Sequence, residues 1–449
     1  MRFELVVSFL STFQIFHQSA SSTIALLAAQ FGLSAGEVAW MSAAFPTGKF
    51  VGTLLVIPLY RRFGCSNRSC LDCNAAFLTA GCLLMLLPSS KFLLLGRFVA
   101  GIGVGIGFVC STIAIRDHTT FADRPRAFLL AAVLFSAAAL FSALLTFVRE
   151  LAIGRFGFLL LLTAPSFLAV GVFALHRGNE DFLAMETTEE ADVPNSRSLS
   201  IGGQPTALNN PNCRFYEINQ SSAETEEHLD CALFNPRFLA FALMTLNASI
   251  GVPIILCFGS VIFHSMGVRG ERAVVLSSVF PLVQMFVLVV THNAGTRLSR
   301  RSAVLFGYAA CLGAYFALLL TQSAHTLDSN LHFRASASAF WLIALAAGTA
   351  VPCNAAVCVI SESFPTRASL IRGTAQSRAF FWLLSALACG TFLPMLTHGS
   401  LFTALLPGFC ISLLAFIYVL FVLPEDRDLH SSPTPPLSFY GSTATSFFR

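Results

Sequence analysis

Apolar residues in this chain are grouped into long blocks that short polar segments separate. A helix needs roughly 20 apolar residues to cross a bilayer, and about twelve blocks reach or approach that length. We number these predicted spanning helices 1 to 12: residues 6–29, 38–60, 71–88, 92–115, 127–147, 157–176, 236–263, 273–293, 303–322, 338–361, 379–396 and 402–423. The pattern therefore predicts an all-α polytopic membrane protein.

One long polar interruption divides the predicted helices into two sets of six. Residues 177–235 are rich in acidic residues, Ser, Asn and Pro without an apolar period, which is typical of a partly disordered linker. The segment after Pro424 has a similar composition. We therefore predict an N-terminal six-helix bundle over 1–176, a linker over 177–235, a C-terminal six-helix bundle over 236–423 and a tail over 424–449.

The composition agrees with a protein that lipid surrounds. Hydrophobic residues make up 55% of the chain and charged residues only 11%, whereas soluble domains carry roughly 25% charged residues. The net charge is +4, but the arginines are dispersed among short loops. We therefore expect contact with a lipid bilayer and no nucleic-acid partner. We also expect a monomer.

Three cysteines have a spacing that occurs in metal sites. Cys65, Cys70 and Cys73 read C-x-x-x-x-C-x-x-C, which is similar to plant-type iron–sulfur sites. No fourth ligand with a suitable loop context follows them. Most of the 13 cysteines lie in apolar runs, where cysteine behaves as a small apolar residue. The prediction is therefore no metal site and no cofactor.

The distribution of basic residues predicts the orientation in the membrane. Short cytoplasmic loops carry an excess of Lys and Arg, and one set of loops here carries about twice as many as the other. That richer set is Arg61, Arg62, Arg68, Arg116, Arg124, Arg126, Arg297, Arg300, Arg301, Arg367, Arg372 and Arg378. This bias places both termini and the linker in the cytosol, without indicating which membrane of the cell is involved.

Basic loops also recur at equivalent places in the two halves. RRFGCSNR follows predicted helix 2 and TRLSRR follows helix 8, while AIRDHTTFADRPR follows helix 4 and SESFPTRASLIR follows helix 10. Such a repeat is typical of transporters that bind their substrate between two halves near the middle of the membrane.

At these loops the sequence resembles the major facilitator superfamily, in particular its sugar-porter, organic-ion and synaptic-vesicle-protein-like branch. The resemblance is carried by GEVAWMSAAFPTGKFVGTLLVIPLYRRFG, GRFVAGIGVGIG, TRLSRRSAVLFG, ESFPT, SRAFFWLLSALACGTFLP and LPEDRDL. It implies the major facilitator fold, with about 12 spanning helices in two six-helix bundles. It also implies transport of a solute by alternating access rather than enzymatic catalysis.

The resemblance further implies charged residues that gate the cytoplasmic side: Arg61, Arg62, Arg297, Arg300, Arg301, Glu362 and Arg372. The chain departs from the family pattern after helix 2, where Arg61 replaces an aspartate and Cys65 and Ser66 replace an arginine pair. The second half keeps its charges, and we predict an ion pair between Glu362 and Arg300 or Arg301. The departures keep open a second hypothesis, that the chain is a sensor or binding protein that no longer transports.

The substrate residues of sugar porters are absent. Their glutamines in helices 5 and 7 have no counterpart, and Pro352 is followed by Cys353 rather than tryptophan. Because hydroxyl-rich ligands need many directed hydrogen bonds, a hexose is disfavoured.

Lys49 is the most distinctive polar residue within a predicted helix. It lies about eleven residues, or about 16 Å, from either end of predicted helix 2, which is beyond the reach of a lysine side chain of about 6 Å. Lys49 must therefore face a wet cavity, bind an anion or be neutral. We predict that it lies on the wall of a cavity between the halves and favours an anionic solute.

Other polar residues complete the candidate substrate site. They are His17 and Gln14 in predicted helix 1, and Asn247, Gln284, Asn354 and Trp382 in the second half. Each of them also has an ordinary interpretation as a packing residue or a hydrogen bond between helices. All 23 acidic residues fall in loops or at helix ends, and proton-coupled carriers generally need a titratable group within the membrane. Facilitated diffusion is therefore favoured over proton symport.

Overall fold

The computed structural model describes residues 32–148, 163–174, 235–268, 271–294, 299–323 and 331–424. Predicted helix 1 and almost all of the predicted linker and tail lie outside these ranges. Throughout the described ranges the chain forms helices and short connections, without strands. The helices are α1 Ala35–Arg61, α2 Asn67–Met85, α3 Ser90–His118, α4 Arg124–Val148, α5 Thr163–Ala174, α6 Pro236–Ser249, α7 Val252–Ser265, α8 Glu271–Asn293, α9 Arg300–Ser323, α10 Leu331–Ser363, α11 Arg367–His398 and α12 Leu401–Val422.

The predicted all-α membrane fold is confirmed. Nine helical segments of the described chain are long and apolar enough to cross a membrane. The predicted number of twelve spans is not confirmed, because helix 1 and part of helix 6 lie outside the described residues. The domain boundaries stay predictions for the same reason.

Predicted helix 7 is interrupted near its middle. Gly251 has a φ of 95°, a left-handed conformation that glycine adopts without steric cost, and it separates α6 from α7. Pro253 follows in the first turn of α7, where the missing N–H of proline breaks no helical hydrogen bond. The break therefore follows from a local Gly and Pro signal that an apolar-run count does not detect.

Helix α11 begins twelve residues earlier than predicted. Thr366 caps it, since its hydroxyl accepts a hydrogen bond from the backbone N–H of Ser369. The first three turns carry arginines and small polar residues, so hydropathy placed them in a loop. The correction moves Arg372 and Arg378 from a predicted loop into the helix.

Helices α1 and α3 approach each other closely through glycines. A Cβ atom added to Gly105 would lie 2.2 Å from the carbonyl oxygen of Lys49, and one added to Gly52 would lie 1.9 Å from that of Ile102. The glycines of GRFVAGIGVGIG therefore allow close helix packing at this crossing.

The two predicted halves meet along two helix pairs. Helix α1 packs along α11, and α4 packs along α8. We call one end of the molecule the basic end: there α1, α3, α8 and α10 end, and α4, α9 and α11 begin. The helix pairs on either side enclose the space that contains the candidate site.

Candidate functional site

A cavity of about 170 Å³ lies between the two predicted halves. Helices α3 and α4 wall it on one side, and α6, the start of α7, α8, α10 and α11 wall it on the other. Its lining is mostly apolar and includes four phenylalanines and a tryptophan. The lining residues are Phe108, Ser111, Thr112, Ile115, Phe128, Ala131, Ala132, Phe135, Ser136, Met244, Asn247, Val252, Gln284, Leu288, Thr349, Ala350, Cys353, Asn354, Val357, Arg378, Phe381 and Trp382.

Four of the seven predicted substrate residues line this cavity: Asn247, Gln284, Asn354 and Trp382. The two others in predicted helix 1, His17 and Gln14, lie outside the described residues. The structure thus brings together side chains that are up to 135 positions apart in the sequence. Their role in substrate binding stays a prediction.

Hydrogen bonds within the second half already hold the three amide side chains. Asn247 accepts a hydrogen bond from the hydroxyl of Tyr308, and its Nδ2 donates to the carbonyl oxygen of Cys353 over 3.4 Å. Gln284 Nε2 donates to Thr349 Oγ1 over 3.0 Å. Asn354 Nδ2 donates to the carbonyl oxygen of Ala350 over 2.8 Å. Many hydrogen-bonding groups of these amide side chains are therefore already bonded to neighbouring residues of the second half.

Lys49 is fully buried and does not line the cavity, so the prediction that it lies on the cavity wall is wrong. Its Nζ lies 4.0 Å from the ring centroid of Trp382, 4.5 Å from that of Phe45 and 5.4 Å from that of Phe108. Trp382 and Phe108 are themselves lining residues. Lys49 therefore lies one ring behind the wall, where aromatic faces attract an ammonium group.

Two arginines near this site, one fully buried and one partly buried, were not among the predicted substrate residues. Arg97 is fully buried, and its Nε donates to the carbonyl oxygen of Met41 over 3.0 Å. Arg378 lines the cavity from α11, with its guanidinium carbon 5.4 Å from the ring centroid of Phe108. Hydropathy places Arg378 in a loop, so the sequence pattern did not single it out, although the helical spacing from Arg378 to Trp382 (i, i+4) could have indicated a shared face.

The predicted ion pair at the basic end is confirmed. Arg300 Nε lies 2.8 Å from Glu362 Oε2, and only 1% of the Glu362 side chain is exposed. Arg124, from the first half, approaches the same carboxylate at 4.0 Å. Glu362 thus links α4, α9 and α10 at this end.

The first half contributes further contacts through α3 and the connection to α4. Arg116 Nη2 donates to the carbonyl oxygen of Phe364 over 2.9 Å, and Arg300 Nη2 donates to that of Phe121 over 3.0 Å. Asp117 pairs with Arg367 at 3.4 Å. We call this set of contacts between the halves the charged latch. The first half therefore takes part in it without the degenerate loop after predicted helix 2.

The other predicted gating residues are not part of the charged latch. Arg61, Arg62 and Arg372 are exposed, and they form no ion pair with the residues that the structure describes. Arg301 is partly buried next to Arg300, and Arg297 lies outside the described ranges. These arginines match the loops of the family, but that match did not indicate which of them form contacts between the two halves.

The charged latch lies directly beside the cavity. The lining residue Ile115 precedes Arg116 in α3, and the lining residue Phe128 lies one turn after Arg124 in α4. The latch therefore lies at the basic end of the cavity. Among the described side chains, no group of three or more His, Cys, Asp and Glu is arranged to hold a metal ion.

Paired helical halves, a cavity between them and a charged latch at one end define a membrane transporter with the major facilitator fold. The model of the sugar (and other) transporter family matches residues 4–429. The chain belongs to this family of transporters, and it is not an enzyme. It carries small solutes across a membrane in which it is embedded by multiple helices.

Solved structures of xylose transporters share the fold at low sequence identity. The proton:xylose symporter XylE bound to 6-bromo-6-deoxy-D-glucose matches with a TM-score of 0.70 and 14% identity, over 94% of this chain and 95% of that one. A partially occluded inward-open conformation of XylE from E. coli matches with a TM-score of 0.67 and 14% identity, over 94% and 98% of the two chains. No curated protein sequence matches this chain.

Proposed function

We propose that the cavity is the solute-binding site of a carrier that works by alternating access. The observation that carries this proposal is the position of the cavity, which has walls from both halves and contacts between the halves across its basic end. When those contacts break, the halves can rock and open the cavity at the basic end. The solute is a small organic molecule, in keeping with the volume of the cavity.

The transport mode that we propose is facilitated diffusion. The only carboxylate in the charged latch with a nearly fully buried side chain is that of Glu362, and it is paired with Arg300. No acidic side chain is among the residues that line the cavity in the described part of the chain. One of the solved structures with this fold is named as a proton:xylose symporter, but coupling to protons generally needs a titratable group along the path.

The membrane orientation and the domain organisation are further parts of the proposal. We place the basic end, both termini and the linker in the cytosol, because loops rich in Lys and Arg remain on that side. The halves correspond to the bundles predicted over 1–176 and 236–423, joined by the linker 177–235, and the tail 424–449 follows. The carrier acts as a monomer.

The charge of the solute is a separate question. The names of the solved relatives refer to xylose, which is neutral, whereas we propose a solute with a negative charge. In the sequence, Lys49 was the residue that favoured an anionic solute. In the structure, the basic residue among those that line the cavity is Arg378. The anionic solute therefore rests on Arg378.

Uptake by the purified full-length chain in liposomes tests the carrier proposal. We expect saturable uptake of at least one small organic solute, with an initial rate that an imposed pH gradient does not change. The alternative of a sensor that no longer transports predicts saturable binding in detergent without uptake into liposomes. A rate that depends on an inward proton gradient would contradict facilitated diffusion but not the carrier proposal.

A further inference from the structure

We infer that the cavity binds an amphipathic organic monoanion, whose negative group is held by Arg378 and whose apolar body packs among the aromatic rings. This inference rests on the proposed carrier function and specifies its class of substrate. It uses two features together: a guanidinium group on the wall and a largely apolar remainder of the wall.

Arg378 provides the charge. It lies eleven residues after Arg367 in α11, or about 16 Å from the basic end, so its side chain does not reach the solvent there. Its Nη2 makes a contact of 3.5 Å with Thr112 Oγ1, at the limit for a hydrogen bond. A guanidinium group has five N–H donors in a planar fork that matches a carboxylate or sulfonate. Within the described ranges no carboxylate pairs with it, and the sequence places none in the middle of a predicted helix.

Further positive charge lies close behind the wall. Arg97 and Lys49 are both fully buried, and Phe45 contacts both of them through its ring, at 5.5 Å and 4.5 Å. Buried charges interact more strongly than exposed ones because little water screens them. The basic character of this region disfavours a cationic solute and agrees with a negative group on Arg378.

The remainder of the wall favours an apolar and preferably aromatic body. The rings of Phe108 and Trp382 lie 5.5 Å apart, and those of Phe381 and Trp382 lie 4.4 Å apart, so aromatic surfaces adjoin Arg378 within one turn of α11. The hydroxyls of Ser111 and Thr112 donate to the carbonyl oxygen of Phe108 in their own helix. A polyol would therefore find few free donors, while a ring would find matching surfaces.

A panel of four small molecules separates charge from apolar body. Benzenesulfonate has both, benzenesulfonamide has nearly the same shape without the charge, methanesulfonate has the charge without the ring, and D-xylose has neither. We expect isothermal titration calorimetry of the purified full-length chain to show benzenesulfonate binding at least tenfold more tightly than each of the other three.

Substitution of Arg378 tests which residue holds the anion. We expect Arg378→Gln to weaken benzenesulfonate binding by about 10- to 100-fold, because the charge-assisted hydrogen bonds of the guanidinium group are lost, and to leave benzenesulfonamide binding unchanged. Arg378→Lys keeps the charge and should retain part of the affinity. Lys91→Gln is the matched control, since it removes an exposed positive charge at the opposite end of α3 and should change nothing. An unaltered elution profile in size-exclusion chromatography shows that each variant is folded.

The inference is overturned if benzenesulfonamide or D-xylose binds as tightly as benzenesulfonate, if neither sulfonate binds, or if Arg378→Gln binds benzenesulfonate like the unmodified chain. These failures differ from failure of the carrier proposal. Saturable uptake of D-xylose that Arg378→Gln does not affect would retain the carrier and remove the anion site. Binding of benzenesulfonate without uptake of any solute would retain the site and remove the carrier.

Discussion

At the scale of single residues, the site shows how burial and position divide the roles of three cations. Arg378 lines the cavity, whereas Lys49 lies behind the lining rings of Phe108 and Trp382. Arg97 contacts the ring of Phe45, which does not line the cavity. Of these three residues, only the one that lines the cavity can form a direct hydrogen bond with a solute. Lys49 and Arg97 can act on the solute only through their electrostatic potential, which falls with distance.

This difference predicts the effect of neutralising Lys49. Lys49→Met removes the charge and keeps a side chain of similar length, so we expect it to weaken benzenesulfonate binding by only about threefold, less than Arg378→Gln, since the charge acts at longer range. Lys49→Arg should keep the affinity close to that of the unmodified chain. Calorimetry on the purified variants measures both. A loss as large as that of Arg378→Gln would mean that Lys49 contacts the solute directly.

At the scale of helices, close approach between α1 and α3 depends on side chains being absent. The carbonyl oxygens of Lys49 and Ile102 occupy the space that a Cβ would need at Gly105 and Gly52. Because the obstructing atoms belong to the backbone, the helices themselves would have to separate. The position of Lys49 behind the wall depends on this crossing.

We therefore expect Gly105→Ala to lower the thermal unfolding midpoint of the purified protein, since overpacking costs about 1–3 kcal/mol. Gly313→Ala is the matched control, because Gly313 is also helical and has no atom within 4 Å of the added Cβ among the described residues. That control should match or slightly exceed the unmodified chain, as alanine favours helix more than glycine does. Intrinsic fluorescence during heating measures the midpoints. Equal midpoints for Gly105→Ala and Gly313→Ala would contradict the packing that we describe.

The helices could be predicted from the sequence far better than the site. Runs of apolar residues determine spans, so α4, α8 and α12 agree with prediction to within three residues or fewer at each end. The start of α11 was missed because helical hydrogen bonds and the Thr366 cap, rather than hydropathy, hold its polar first turns. That error concealed Arg378. Which residues of α11 face the cavity depends on how helices that are distant in the sequence pack together. The apolar pattern of a single sequence does not predict that packing.

At the scale of the whole molecule, the charged latch joins the halves at the basic end. Glu362 is central to it because its buried carboxylate contacts Arg300 and lies within 4.0 Å of Arg124. Removing one partner from a buried ion pair leaves the other charge without compensation. The closed basic end should therefore be disfavoured when Glu362 is neutralised.

We expect Glu362→Gln to increase the rate at which a membrane-impermeant maleimide labels Cys353, which lines the cavity. The reagent must be supplied from the side of the basic end, and peptide mapping by mass spectrometry identifies the labelled cysteine. Glu37→Gln is the matched control, because Glu37 caps α1 at the opposite end and glutamine can serve in the same capping box. Labelling of Cys353 at the same rate in all three proteins would show that the charged latch does not govern opening.

Counterflow in liposomes tests alternating access most directly. Liposomes that contain the purified chain are loaded with unlabelled benzenesulfonate, or with D-xylose in a parallel set, and a trace of the same labelled solute is added outside. A carrier with one site that faces each side in turn predicts a transient accumulation of label above its equilibrium level for the solute that binds. Accumulation should be absent from liposomes that contain the chain but no unlabelled solute. For benzenesulfonate it should also be reduced by Arg378→Gln. If the solute binds in calorimetry but the label only approaches equilibrium, or does not enter, the chain is not an alternating-access carrier.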